Sequence, residues 1–374
     1  MTDTLEEGPQ IMRGTTTRAL LGAALAATLS TGTLSAAAAD TQPRAPRTER
    51  VSTGSDGAQS DGTSNEAAIS GDGRYVAFYT KTSQLRGCEI TAYFCVAVKD
   101  RITGTLTQVP GGGFSWAPLV FSADGRYLAH AESGKSPAPL LYDQVTGKNV
   151  NVSEPESAPG MILAVTPHAR HVAYTAGDRF HPQRDLYVRD LTTGARELIG
   201  SSGDAQQSRF VGASLSADGR LVAYRDRSGP EGDDVLVKDL TTGATVHVDK
   251  GLGRSGDEVL RLTPDGRRVV FVAEGRTYVH DLRKGTTRQV ADRAAKSVSG
   301  DGRYVVLAGG DEGDEDRPLT LIDVRSGRRT PVGPGQVEPG GVSAGGREVA
   351  FTSNEPLVPG DTNNRSDVYV RHTR

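Results

Sequence analysis

The sequence predicts an all-β fold: a seven-bladed β-propeller of four-stranded antiparallel blades, closed by an N-terminal strand that pairs in the last blade. Three observations predict it. First, an apolar run ending in Ser or Thr, then a tight turn, then Arg and an alternating strand, occurs seven times. Its mean spacing of about 45 residues is the length of a propeller blade. Second, six of the copies are followed by a strand ending in Asp with a Gly four residues later. Third, 46 of the 374 residues are Gly, which indicates many tight turns rather than long helices.

The chain opens with a segment that reads as a signal peptide, residues 1–39. Arg13 and Arg18 form a positive start, Ala19 to Leu29 a short apolar stretch, and Ala37 and Ala39 a small-residue exit, so cleavage is expected before Asp40. Met12 is an alternative start, because the residues before it include acidic ones. The apolar stretch is too short to span a bilayer well, and no later segment is apolar enough to cross one. There is no twin-Arg pair, and no Cys near the cleavage point to accept a lipid. Residues 40–46, "DTQPRAP", read as a linker. The expected location is outside the cytoplasm, secreted or at the cell envelope.

Residues 47–374 carry the propeller. The copies are "ISGDGRYVAFYT" from Ile69, "FSADGRYLAHAE" from Phe121, "VTPHARHVAYTA" from Val165, "LSADGRLVAYRD" from Leu215, "LTPDGRRVVFVA" from Leu262, "VSGDGRYVVLAG" from Val298 and "VSAGGREVAFTS" from Val342. The Asp-Gly step supplies the positive φ that a tight hairpin needs. Tyr75, Ala77 and Tyr79 alternate with Val76, Phe78 and Thr80, which is strand period. The second motif pairs Asp100 with Gly104, Asp143 with Gly147, Asp190 with Gly194, Asp239 with Gly243, Asp281 with Gly285 and Asp323 with Gly327. Each repeat is thus a meander of four strands, a to d. One such sheet cannot bury both faces alone, and packing sheet on sheet around an axis solves this.

The last copy ends at "DVYVRHTR" with no strand d. The segment Arg47 to Gly54, "RTERVSTG", resembles the d strands "ARELIGSS" and "TLTQVPGG". Arg50 and Val51 are therefore expected to pair beside Asp367 to Arg371, which removes a raw sheet edge.

On these residues, the "S-x-D-G-R" strand pair followed by "DLYVRDLTTG", the chain resembles the TolB-type, WD-repeat-like bacterial propeller repeat over residues 47 to 374. The departures are His168-Ala169 and Gly345 in the first motif and His372 in place of the strand-c Asp. The resemblance implies an interaction scaffold. It does not extend to the Tol envelope machinery, because no α/β domain precedes the propeller.

Cys88 and Cys95 are the only cysteines, and a close pair in an exported chain reads as a disulfide. The net charge of −3 offers no basic field for nucleic acid. The b–c loops vary most: "KTSQLRGCEITAYF" in blade one, "GDRFHPQR" in three, "DRSGPEGD" in four, "EGR" in five and "GGDEGDEDRP" in six. Binding usually sits on variable loops carried by a rigid scaffold. The candidate face is therefore the b–c and d–a side with its channel mouth, and the candidate binding residues are Arg179, His181, Arg184, Asp226, Arg227, Asp311 and Asp314. Asp361, Asn363 and Asp367 partly resemble a calcium loop, so calcium is the one candidate cofactor. His168, His171 and His181 lie close in sequence and read as surface residues. No catalytic residue is assigned: "GFSWA" around Ser115 lacks the last Gly of G-x-S-x-G, and no H-E-x-x-H or phosphate loop is present. The expected protein is a monomeric, non-catalytic binder of a protein or cell-wall glycan. The alternative is an extracellular propeller lyase or hydrolase acting on polysaccharide, which carboxylates and His converging at the channel mouth would favour.

Overall fold

The computed structural model describes residues 46–88, 94–113, 117–134, 136–154, 158–177, 185–201, 212–229, 232–252, 258–308 and 318–374. The segment read above as signal peptide and most of the one read as linker lie outside the described residues. Strand β1 is Arg47–Arg50. Blade one holds β2 (Ser64–Ile69), β3 (Tyr75–Thr80), β4 (Cys95–Asp100) and β5 (Leu106–Gln108). Blade two holds β6 (Val120–Phe121), β7 (Tyr127–Ala131), β8 (Pro139–Asp143) and β9 (Lys148–Asn151). Blade three holds β10 (Ile162–Val165), β11 (His171–Ala176), β12 (Asp185–Asp190) and β13 (Arg196–Ser201). Blade four holds β14 (Ala213–Leu215), β15 (Leu221–Gly229), β16 (Gly232–Asp239) and β17 (Thr245–His247). Blade five holds β18 (Glu258–Leu262), β19 (Arg268–Ala273), β20 (Arg276–Asp281) and β21 (Thr286–Ala291). Blade six holds β22 (Ala295–Val298), β23 (Tyr304–Leu307), β24 (Leu319–Asp323) and β25 (Arg329–Gly333). Blade seven holds β26 (Glu348–Ser353), β27 (Asp367–His372) and, on its outer edge, β1.

Every blade is an antiparallel meander, and the first strands of successive blades neighbour one another around the axis. The core lies between blades. Tyr79, Val96 and Val98 of blade one pack with Leu119, Leu128 and Tyr142 of blade two. Ile69, Val76 and Phe78 pack with Val368 and Val370 of blade seven. Each large side chain buried this way contributes about 1.5–3 kcal/mol, which a single sheet could not gain.

The repeat motif has one mechanical reading. Ser70 Oγ donates to Asp72 Oδ1 at 2.6 Å and accepts the Tyr75 amide at 2.9 Å. Asp72 Oδ1 also accepts the Arg74 amide, and Gly73 turns the chain at φ 78°. Arg74 then reaches across the blade to Asp100, Nη2 to Oδ2 2.7 Å. Asp100 Oδ1 accepts the Ile102 and Thr103 amides and so caps the c–d turn. The same Arg–Asp pair joins Arg126 to Asp143, Arg170 to Asp190, Arg220 to Asp239, Arg267 to Asp281 and Arg303 to Asp323. The most repetitive residues of the sequence therefore brace one face of the ring.

Blade seven replaces that pair. Arg101 of blade one binds Glu49 at 2.9 Å and Glu348 at 3.0 Å, and His372 binds the same two carboxylates at 2.9 and 3.2 Å. Burial works to raise the Glu49 pKa, but Arg101 and His372 outweigh it and hold the carboxyl down at about 2. The expected closing strand is present, with Arg47 opposite His372 through Arg50 opposite Tyr369, and the Val51 amide donates to Val368 O at 2.8 Å. Lys99, buried in β4, caps the Thr53 and Gly54 carbonyls at 3.0 and 2.7 Å.

Two details differ from the sequence reading. The innermost strand of blade seven shrinks to a bridge between Val342 and Val349, where Pro339, Gly340 and Gly341 interrupt it. The segment "DRSGPEGD" of blade four is not simply a loop. The strands β15 and β16 run through much of it, and Asp233 pairs across the hairpin with Arg225 and with Arg227. The alternation of Arg225 and Arg227 on one face gave that signal. Cys88 and Cys95 form the disulfide, joining the b–c loop of blade one to the start of β4.

Candidate binding site at the channel mouth

The two faces of the ring differ chemically. The a–b and c–d turns repeat the same braces. The opposite face carries the b–c loops and the entries to the innermost strands, and there the blades differ. Four innermost strands carry a register shift, at Asn65/Ala68, Ile162/Ala164, Val259/Arg261 and Ala295/Ser297. A bulge re-aims the extra residue away from the ladder. The extra residues include Glu66, Leu163 and Lys296. Glu66 takes a left-handed φ of 52°, which costs a non-Gly residue about 1–2 kcal/mol.

Glu66 and Glu338 line one cavity of 180 Å³ with Ala67, Pro118, Met161 and Leu163. Burial pushes the Glu66 carboxyl up to about 7, and the Glu338 charge adds to the rise. Glu338 is raised by burial and by Glu258, with Lys296 opposing. Glu258 is raised by burial, against Lys296 and Arg225. Three carboxyls on blades one, five and seven thus share a field with Lys296 of blade six. Arg261, on β18, is only partly exposed, and burial lowers its pKa. Its Nε meets no hydrogen-bond partner among the described residues. The cavity itself combines mostly apolar walls with two convergent carboxyls. A carboxyl near neutrality can both donate and accept hydrogen bonds.

The residues picked from the sequence fall in three groups. Asp226 and Arg227 stand on β15 at the chosen face, where Arg227 Nε binds Asp233 Oδ1 at 3.3 Å and Asp226 pairs opposite Asp234. Arg179, His181, Arg184, Asp311 and Asp314 lie outside the described residues. Asp361, Asn363 and Asp367 serve the ring closure. Asp361 accepts Gln59 Nε2 at 2.8 Å and the Tyr369 hydroxyl, and Asp367 accepts Ser52 Oγ and Gln59 Nε2. Asn363 donates to Ser60 O at 2.8 Å. The oxygens a calcium ion would need from the two aspartates thus already accept protein donors, and Arg50 lies 3.6 Å from Asp361. His168 and His171 sit on the braced face, beside Asp124 and Asp190.

Glu66, Glu258, Lys296 and Glu338 escaped the sequence reading. Their signal was a charged residue three to five positions before the repeat's Ser or Thr. Four different blades supply them, so no local spacing brings them together.

No family model matches the chain, and no curated protein matches it. Solved structures do. An oligogalacturonate lyase in complex with manganese is 16% identical at a TM-score of 0.62, over 87% of this chain and 93% of that one. The Cps50 (Swd1) β-propeller domain of Myceliophteria thermophila is 16% identical at a TM-score of 0.54, over 82% and 96%. TolB from Acinetobacter baumannii is 18% identical at a TM-score of 0.48, over 84% and 79%. At these identities the first two show a likeness of fold alone.

Proposed function

We propose that this protein is an exported, monomeric binding propeller that takes the end of a cell-wall glycan into the channel mouth. The observation that carries this is the cavity shared by Glu66 and Glu338, with apolar walls from Met161 and Leu163. Carboxyl groups bind sugar hydroxyls in pairs, and apolar walls take the C–H face of the ring. The signal-like start and the Cys88–Cys95 disulfide support an oxidising, extracytoplasmic location. The test is calorimetric titration with cell-wall oligosaccharides, comparing the native chain with the Glu66→Gln/Glu338→Gln double variant. Saturable binding that the variant loses supports the reading. Binding only to a protein partner, insensitive to the variant, overturns it.

A second reading, a polysaccharide lyase or hydrolase, is favoured by one observation, the Glu66 carboxyl at about 7, which suits a general acid or base near neutral pH. Release of new chain ends from a polysaccharide, lost in Glu66→Gln, would establish it.

A further inference from the structure

We propose that Asp234, His247 and Asp249 of blade four form a binding site for one divalent transition-metal ion of the manganese or zinc class. The backbone register brings them together. In the β16–β17 ladder Leu236 stands opposite His247 and Val237 opposite Val246. Asp234 lies two positions before Leu236, and Asp249 two positions after His247. Side chains alternate along a strand, so Asp234 and His247 share one face of the blade. Beyond that ladder the Val248 amide donates to Val235 O at 3.0 Å, and the Val235 amide turns to the Asp249 side chain, Oδ2 at 2.8 Å, which holds Asp249 against the start of β16.

The side chains converge. One ligand atom from each residue lies within 4.8 Å of the others, and no other such group of three occurs among the described residues. Asp249 is 3% exposed, two positions past the end of an outer strand whose three residues face water. Its Oδ2 takes the Val235 amide, but its Oδ1 takes no hydrogen bond and no cation among the described residues. A buried carboxylate is costly unless it is paired. Here the groups nearest it in the cluster are a second carboxylate and an imidazole. Neither ring nitrogen of His247 is hydrogen-bonded among the described residues, and the ring is exposed, so a nitrogen lone pair is available to an ion arriving from solvent. Asp226, opposite Asp234 on β15, adds a further carboxylate to the same face. Two carboxylate oxygens and one imidazole nitrogen suit a borderline transition ion, whereas calcium prefers an all-oxygen set. The ion sits at the root of the β15–β16 hairpin and fastens that hairpin to the outer strand. This site is separate from the channel mouth and stands or falls without the glycan reading.

The test uses the full chain after chelator treatment and dialysis, titrated with Mn²⁺ and followed by electron paramagnetic resonance, with Zn²⁺ and Ca²⁺ as competitors. One Mn²⁺ per chain is expected to bind, displaced by Zn²⁺ more readily than by Ca²⁺. His247→Ala removes an exposed ligand, and Asp249→Asn keeps an acceptor for the Val235 amide, so both are expected to fold, which circular dichroism checks. Each is expected to weaken Mn²⁺ at least tenfold and to abolish the rise in melting temperature that Mn²⁺ gives the native chain. Absence of saturable binding by the native chain overturns the proposal, as does Mn²⁺ binding that both folded variants retain.

Discussion

Ser52 and Asp367 stand 315 positions apart in the chain and share a buried hydrogen bond, which Ser52 extends by accepting the Val368 amide at 3.0 Å. Closure of the ring depends on this contact and on the β1–β27 ladder beside it. Removing residues 47–54 is expected to lower the melting temperature by more than about 10 °C, because it strips an edge and the buried Val51 together. Ser52→Ala alone is expected to cost about 1–2 kcal/mol by leaving buried groups unsatisfied. Urea and thermal unfolding check both. An unchanged melting temperature in the truncated chain would contradict the closure.

The Arg–Asp braces predict an asymmetry. Asp323 holds Arg303 at 2.7 Å and also caps the Arg325 amide at 3.0 Å, whereas Arg303 is largely solvated. Asp323→Ala is expected to cost about 1–2 kcal/mol and Arg303→Ala clearly less, measured by urea unfolding.

The same braces set the acid limit. Arg74 and Arg126 hold the Asp100 and Asp143 carboxyls down at about 2, from an ordinary 3.8. Depressed carboxyls stabilise the fold above pH 4, and that contribution is lost as pH falls through about 2. Stability is expected to drop between pH 4 and 2, with a shallower drop in Asp100→Asn/Asp143→Asn.

Glu66 has the opposite sign. Its carboxyl is raised from 4.5 to about 7, so the contribution from its neutral form is complete below pH 4.5 and is lost as pH rises through 7. Glu66→Gln is expected to leave stability at pH 4 unchanged. At pH 8 it is expected to gain about 1 kcal/mol, a figure discounted because the channel is open to water. Equal effects at both pH values would show that the carboxyl is not buried as described.

Ala169 occupies the turn position held by Gly in the other blades, at φ 52°, and its amide makes the same bond, to Thr166 O at 2.9 Å. Ala169→Gly is expected to stabilise the chain by about 1 kcal/mol in thermal unfolding, because the Cβ penalty at positive φ disappears.

The blade count, the strand order, the turn positions and the closing strand were all legible in the sequence. Each depends on residues near one another in the chain, or on a pattern copied seven times, and alternation with Gly at fixed spacing encodes such local geometry directly. The loudest motif, Ser70, Asp72, Gly73, Arg74 and Asp100, proved to be scaffolding: it repeats because every blade needs the same brace.

Which residues meet at the channel mouth was not legible. Only the tertiary structure decided that Glu66, Glu258, Lys296 and Glu338 share one field, because closing the ring brings the inner edges of four blades to one axis. The same holds for the meeting of Glu49 and Arg101 with His372. Residues from different blades have no spacing to betray them; their distance is set by how many sheets fit around the circle and by the bulges that turn single side chains inward.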